Sequence, residues 1–204
     1  MVARQLQSRG IRDERVLGAM AKVPRERFIP VGSRHQAYQD AALGIAGGQT
    51  ISQPYMVALM TEALHLACTE RVLEVGTGSG YQAAVLAELA ARVYTVERLS
   101  ELTEAARRVL CDELGYANVS FRVGDGTLGW PTEAPFDRVI VTAGAPGRPQ
   151  TLLDQLTGSG EAVVPVGGQH WQTLTHYRRR PDGTFEETRL CECAFVKLVG
   201  QEGW

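Results

Sequence analysis

The sequence predicts an α/β fold: a mostly parallel sheet with helices on both faces, preceded by a helical segment and followed by an antiparallel hairpin. Three observations predict it. Between residues 71 and 167, short apolar runs alternate with helical patterns, as strands joined by crossover helices require. Residues 1 to about 40 carry Leu6, Ile11, Val16, Leu17, Met20 and Val23 among charges, a helical spacing interrupted at Pro24. Beyond residue 168 the pattern alternates around Pro181-Asp182-Gly183, a turn signal between two strands.

The elements follow in order. A glycine-rich, uncharged loop is expected over about 41–53. The whole chain from Ala41 to Thr61 lacks charge, yet Gly44, Gly47, Gly48, Gln49, Thr50, Ser52, Gln53 and Pro54 interrupt it with helix breakers and polar groups that lipid cannot satisfy, so it is no membrane span. Pro54 suits a first helical turn and opens a helix to about Leu66. RVLEVG (71–76) is a strand followed by a helix to about Ala91. RVYTVE (92–97) is a strand followed by a helix to about Leu114. VSFRVGDG (119–126) and DRVIVTAG (137–144) are two further strand-plus-loop units, and EAVVPVG (161–167) follows a short helix near 152–156. One domain over 1–204 is expected: an N-terminal segment with its loop (1–53), an α/β core (54–167) and the C-terminal hairpin (168–204).

Composition narrows the function. A chain of 204 residues with 44% hydrophobic and 22% charged residues can bury a full core, which excludes disordered and fibrous classes. The net charge of -2 implies no broad basic surface, and the run Arg178-Arg179-Arg180 reads as a solvated strand end, so no nucleic-acid partner is expected. Cys68, Cys111, Cys191 and Cys193 form no CxxC pair, and the four histidines, His35, His65, His170 and His176, are scattered without metal-ligand spacing. No metal is expected. Cys191 and Cys193 share one strand face, where free buried thiols of a reducing compartment are expected. The start MVARQLQSRG lacks a secretory apolar stretch, so a cytoplasmic location is expected, and with it a monomer.

The sharpest motif is Glu74-Val75-Gly76-Thr77-Gly78-Ser79-Gly80 between a strand and a helix. Gly76, Gly78 and Gly80 let the backbone turn tightly and let a ligand approach. A dinucleotide fingerprint would need Gly or Ala where Tyr81 stands. The G-x-G-x-G spacing, with Thr77 inside it, instead resembles the S-adenosylmethionine turn of Rossmann-like methyltransferases. Glu97, closing the next strand, can accept both hydrogen bonds of a ribose diol. Asp125 can accept from an adenine amino group, with Gly126 beside it allowing the ring to approach. No P-loop is present, and a nucleophile elbow would need Gly in place of Thr77.

At this point the chain closely resembles the protein-L-isoaspartate O-methyltransferases. The resemblance runs through Val23-Pro24-Arg25-Glu26-Arg27-Phe28, the loop Gly48-Gln49-Thr50-Ile51-Ser52-Gln53-Pro54-Tyr55-Met56, the block Leu73 to Tyr81, Gly124-Asp125-Gly126, Ala134-Pro135-Phe136-Asp137, Pro165-Val166-Gly167 and the ending Phe195 to Trp204. The GQTISQP loop singles out this family. Two positions depart from its pattern, Gly44 and Lys197, each where the family tends to have Pro. The resemblance implies a transferase of protein repair, with S-adenosyl-L-methionine as cofactor and isoaspartyl-containing proteins and peptides as partners. It implies that Ser52 contacts the isoaspartyl carboxylate and that the loop, with Thr50, and the C-terminal strand around Val196 form the peptide cleft.

The chemistry suits this residue set. A peptide α-carboxylate, with a pKa near ~3.5, is already ionised at neutral pH, so attack on a sulfonium methyl group needs no general base. Two other readings stay open from sequence: an S-adenosylmethionine enzyme acting on a small molecule or RNA, and a non-catalytic cofactor-binding protein.

Overall fold

The computed structural model describes residues 1–204. Its N-terminal segment is helical but broken. Short helical turns over 2–6 and 7–9 precede helix α1 (Glu14–Lys22), and further turns span 25–28 and 31–36. Asp13 caps α1 by accepting from the Arg15 amide, which satisfies one of the amides that a helix start leaves free. The helical run breaks first at Gly10, whose φ of 98° is left-handed, and again at Pro24 and Pro30, each of which precedes a turn, so one long helix does not form.

The uncharged loop folds back on itself as a small ribbon, β1 (Leu43–Gly44) antiparallel to β2 (Thr50–Ile51). Helix α2 (Pro54–Glu62) starts at its proline as expected but ends four residues before Leu66. The backbone leaves the helix there, and His65 takes a positive φ of 49°.

The sheet then builds from β3 (Arg71–Val75), β4 (Arg92–Glu97), β5 (Val119–Val123), β6 (Phe136–Val141), β7 (Leu156–Gly167), β8 (Gln172–Arg179) and β9 (Phe185–Cys193). Helices α3 (Tyr81–Ala87), α4 (Ser100–Arg107) and α5 (Gln150–Leu153) intervene. The order is β5-β4-β3-β6-β7-β8-β9, with β5 to β7 parallel and the β8–β9 hairpin antiparallel at the edge. The predicted α/β architecture with its C-terminal hairpin is therefore the one observed. β7 begins five residues before the predicted Glu161, because a register shift opposite Phe136 and Arg138 lets the polar stretch Thr157–Gly160 join the ladder.

Alternation along the central strands divides the core between the two faces. Val72, Val93, Ile140 and Val163 join a cluster of 34 buried residues with α1, α2 and α3. Leu73, Tyr94, Val139 and Ala162 point the other way, into a cluster of 16 closed by Leu152, Leu153 and Leu198. Chain order reverses beside β3: β4 and β5 lie on one side, β6 and β7 on the other. In open α/β sheets ligands bind beyond the carboxyl ends of the strands at such a reversal.

Candidate active site

A cleft of about 730 Å³ opens at that point. Its floor is Val75, Gly76, Thr77, Gly78 and Ser79, and one wall is Val96, Glu97 and Arg98 from the end of β4. Gln49 to Ser52 of the ribbon lie across it, and Val196 to Val199 close it from the tail. Thus Thr50, Ser52, Gly76, Thr77, Gly78, Glu97, Gly126 and Val196 of the predicted site residues converge. None of the four histidines is among them.

The glycine turn is built as its sequence demands. Gly76 has φ 99°, and a Cβ there would collide with the Thr142 hydroxyl, which donates to the Gly76 carbonyl at 2.6 Å. Gly126 brings β5's loop against β3, where a Cβ would lie 2.6 Å from Val75 Cγ1. Glu97 closes the turn from the side: its Oε2 accepts from the Gly78 amide at 3.0 Å and its Oε1 from the Leu99 amide at 3.1 Å. Each carboxylate oxygen keeps a lone pair for a further donor.

Two predicted residues stand apart from the cleft lining. Gly80 faces away, its absent side chain making room for Leu110 and Ala106 under α3; it shapes the turn by packing. Asp125 binds the tail, and its Oδ2, with one partner, keeps a lone pair for a further donor. Its Oδ1 accepts from the Thr127 amide at 2.9 Å and hydroxyl at 2.6 Å, and its Oδ2 from the Gln201 amide at 2.7 Å. Partial burial alone would push this carboxyl up, but those bonds hold it below the usual range. Asp125 thus anchors the tail that supplies Val196 to Val199.

Sequence reasoning assigned no role to Arg25, which is fully buried. Its Nε donates to the Ala37 carbonyl and its Nη2 to the Ser52 carbonyl, both at 2.8 Å, and the guanidinium stacks 4.7 Å from the centre of the Tyr81 ring. Burial pulls it down to about 10, so it remains charged at neutral pH. It ties the Ser52 backbone to the N-terminal segment and to a residue of the cleft wall.

Beneath the cleft lies a second polar device. The Thr77 and Thr95 hydroxyls are 2.5 Å apart, and Thr95 reaches Glu74 Oε2, while Glu74 Oε1 is buried without a partner. Burial, with the nearby Glu97 charge adding to it, raises Glu74 to about 8. At neutral pH this side chain is a neutral acid, which is the only form a partnerless buried oxygen tolerates cheaply.

The family model described as protein-L-isoaspartate(D-aspartate) O-methyltransferase matches residues 1–203. The chain belongs to this family. A protein-L-isoaspartate O-methyltransferase 2 from Pelobacter propionicus is 55% identical over 205 residues, covering 100% of this chain and 91% of that protein. Among solved structures, a protein-L-isoaspartate O-methyltransferase superposes with a TM-score of 0.85 at 30% identity, covering 100% of this chain and 67% of the other. A Plasmodium falciparum protein-L-isoaspartate O-methyltransferase, crystallised in complex with S-adenosyl-L-homocysteine, superposes with a TM-score of 0.83 at 26% identity, covering 97% and 96%. The family's cofactor is S-adenosylmethionine, and this cleft fits it: glycine backbone where side chains would obstruct, a carboxylate at Glu97, and apolar Val75, Val96 and Leu198.

Proposed function

We propose that this chain transfers a methyl group from S-adenosyl-L-methionine to the α-carboxylate of L-isoaspartyl residues in damaged proteins and peptides. The observation that carries this reading is the match of the repair-methyltransferase family to nearly the whole chain, which includes the 48–54 loop lying across the cleft. When bound, S-adenosylmethionine supplies an electrophilic methyl group on a sulfonium.

The protein's own groups do the rest. The Gly76–Gly80 turn and Thr77 hold the amino-acid end of the cofactor, Glu97 accepts from its ribose, and Gly126 leaves room beside Val75. Thr50, Ser52 and Val196 receive the peptide. The Ser52 hydroxyl donates to one oxygen of the isoaspartyl carboxylate and leaves the other free to take the methyl group in line. Because that carboxylate is already ionised, no side chain has to accept a proton, which agrees with a cleft whose only ionisable lining groups are Glu97, Arg98, Lys197 and Tyr81. The apolar walls strip water from the nucleophile. Lys197 adds a positive charge at the peptide side, which favours an acidic residue near the isoaspartate. No helix is long and apolar enough to cross a membrane, and we place the reaction in the cytoplasm, carried out by the single chain.

The product is an α-methyl ester. The following peptide nitrogen attacks it, methanol leaves, and the resulting succinimide opens in water partly to normal aspartate. Following an isoaspartyl peptide by mass spectrometry with enzyme and cofactor tests this: a methyl ester, then a succinimide, then aspartyl peptide are expected in that order. A stable methylated product would contradict methylation at the α-carboxylate.

A further inference from the structure

We propose that His65, Glu161 and His176 form a binding site for a divalent transition-metal ion of the zinc class, at the opposite end of the sheet from the methyl-transfer cleft. Glu161 pairs with Arg138, which in turn pairs with Val72 near the start of β3. The cleft opens beyond Val75, at the far end of the same strand.

The three side chains converge from three elements: the turn after α2, β7 and β8. Glu161 Oε2 accepts from His65 Nδ1 at 2.9 Å and from His176 Nε2 at 2.8 Å. All three donor atoms lie within 4.8 Å of one another. Glu161 is only 7% exposed, so its carboxylate is held in place by the sheet, whereas the His65 ring is largely exposed. The left-handed backbone at His65 is uncommon for a residue with a side chain, and it turns the ring back toward β7, where it stacks edge-on with His176 at 5.7 Å.

Two imidazole nitrogens and one carboxylate oxygen are the ligand set of an N/O zinc site with an open fourth position, at ligand distances of roughly 2.0–2.2 Å. Small side-chain rotations bring the donors to that range. Binding exchanges the two N–H···O hydrogen bonds for three coordinate bonds. His65 then carries its proton on Nε2 and His176 on Nδ1, any additional imidazolium proton leaves to water, and no electron is transferred. The exposed side of His65 is the entry path and leaves the fourth position to water. Arg138, whose charge also acts on Glu161, is tied through its Nε to the Leu64 carbonyl, which leaves Arg178 as the cation to be displaced. Its Nε is 3.8 Å from the other carboxylate oxygen, Oε1, and its side chain is exposed enough to swing away. The bound ion would fasten the turn after α2 to β7 and β8, with no part in methyl transfer.

The test uses tag-free, chelator-treated protein titrated with Zn²⁺ by calorimetry and with Co²⁺ by visible absorption, comparing wild type with His65→Ala, His176→Gln and Cys68→Ser. The expected result is one ion per chain, a Co²⁺ ligand-field band without thiolate charge transfer, and Cys68→Ser unchanged. Zn²⁺ affinity should fall more than ~10-fold in either histidine variant. Zn²⁺ should also raise the melting temperature of wild type but not of His65→Ala, with methyl transfer equal in both. No saturable binding at micromolar metal, binding retained in His65→Ala, or binding lost in Cys68→Ser would each overturn the proposal.

Discussion

The Arg25 guanidinium donates to the carbonyl of Ser52 at 2.8 Å, so the loop expected to hold the substrate is fixed from below by a buried charge. Truncation to Ala strands the buried carbonyl of Ala37 and the half-buried carbonyl of Ser52. Arg25→Ala should therefore lower stability by about 3 kcal/mol, the scale of two hydrogen bonds to a charged group. In the folded fraction, kcat/KM for isoaspartyl peptide should fall far more than cofactor affinity. Denaturant melts, calorimetry and steady-state kinetics check this; equal losses of peptide and cofactor binding would mean that Arg25 supports the whole domain and not the loop.

In the structure Glu97 accepts from the Gly78 and Leu99 amides, and the proposed function gives it a second duty, accepting from the cofactor ribose. Glu97→Ala should weaken S-adenosylmethionine binding by roughly 1.5–3 kcal/mol and also loosen the glycine turn. Amide exchange at Gly78 should speed up in the same variant. Unchanged affinity by calorimetry would remove Glu97 from the ribose.

Glu74 makes stability depend on pH. Its folded value is raised to about 8 from an ordinary 4.5 by burial and the Glu97 charge, so the folded protein keeps a proton that the unfolded chain loses. The contribution is fully present below about 4.5 and is lost as pH rises through about 8, with a slope of at most ~1.4 kcal/mol per pH unit. Glu74→Gln keeps the shape and the bond to Thr95 without the proton. It should flatten that slope and exceed wild type in stability above pH 8, as urea melts across the range would show. Parallel pH profiles of the two proteins would contradict a neutral Glu74.

Asp125 anchors the tail through the Gln201 amide, and Trp204 Nε1 holds the same tail by donating to the Gly144 carbonyl at 3.0 Å. Asp125→Ala should free residues 200–204, speed their amide exchange and cost about 1–2 kcal/mol. Its effect on cofactor affinity should be smaller than that of Glu97→Ala. A larger effect would restore the adenine contact that its GDG setting suggested.

What the sequence made legible was local. The turn Gly76–Gly80 declares itself because three closely spaced glycines at a strand-to-helix junction mark a tight turn, and Glu97 follows because it closes the next strand. What stayed hidden depends on distant partners. Asp125 finds Gln201 76 positions away, and His65 finds Glu161 96 positions away, so neither pairing leaves a spacing. Arg25, an arginine in a charged stretch, reads as surface, and only the fold shows it buried and bonded to the Ser52 carbonyl. The early start of β7 was missed since Thr157–Gly160 has no apolar alternation, and Cys191, expected on a buried face beside Cys193, is only half-buried on the edge strand β9.

The central claim is that the Thr50–Ser52 loop aligns a carboxylate displaced by one methylene from that of aspartate, where a misplacement near 1 Å can cost about 10²-fold. The most direct measurement incubates the protein with methyl-labelled S-adenosylmethionine and a matched pair of isoaspartyl and aspartyl peptides, for wild type and Ser52→Ala. Label should enter the isoaspartyl peptide, leave slowly as methanol, and be nearly absent from the aspartyl isomer. Ser52→Ala should lower the rate while cofactor affinity and melting temperature stay close to wild type. Equal labelling of both peptides, or of neither, would contradict the account.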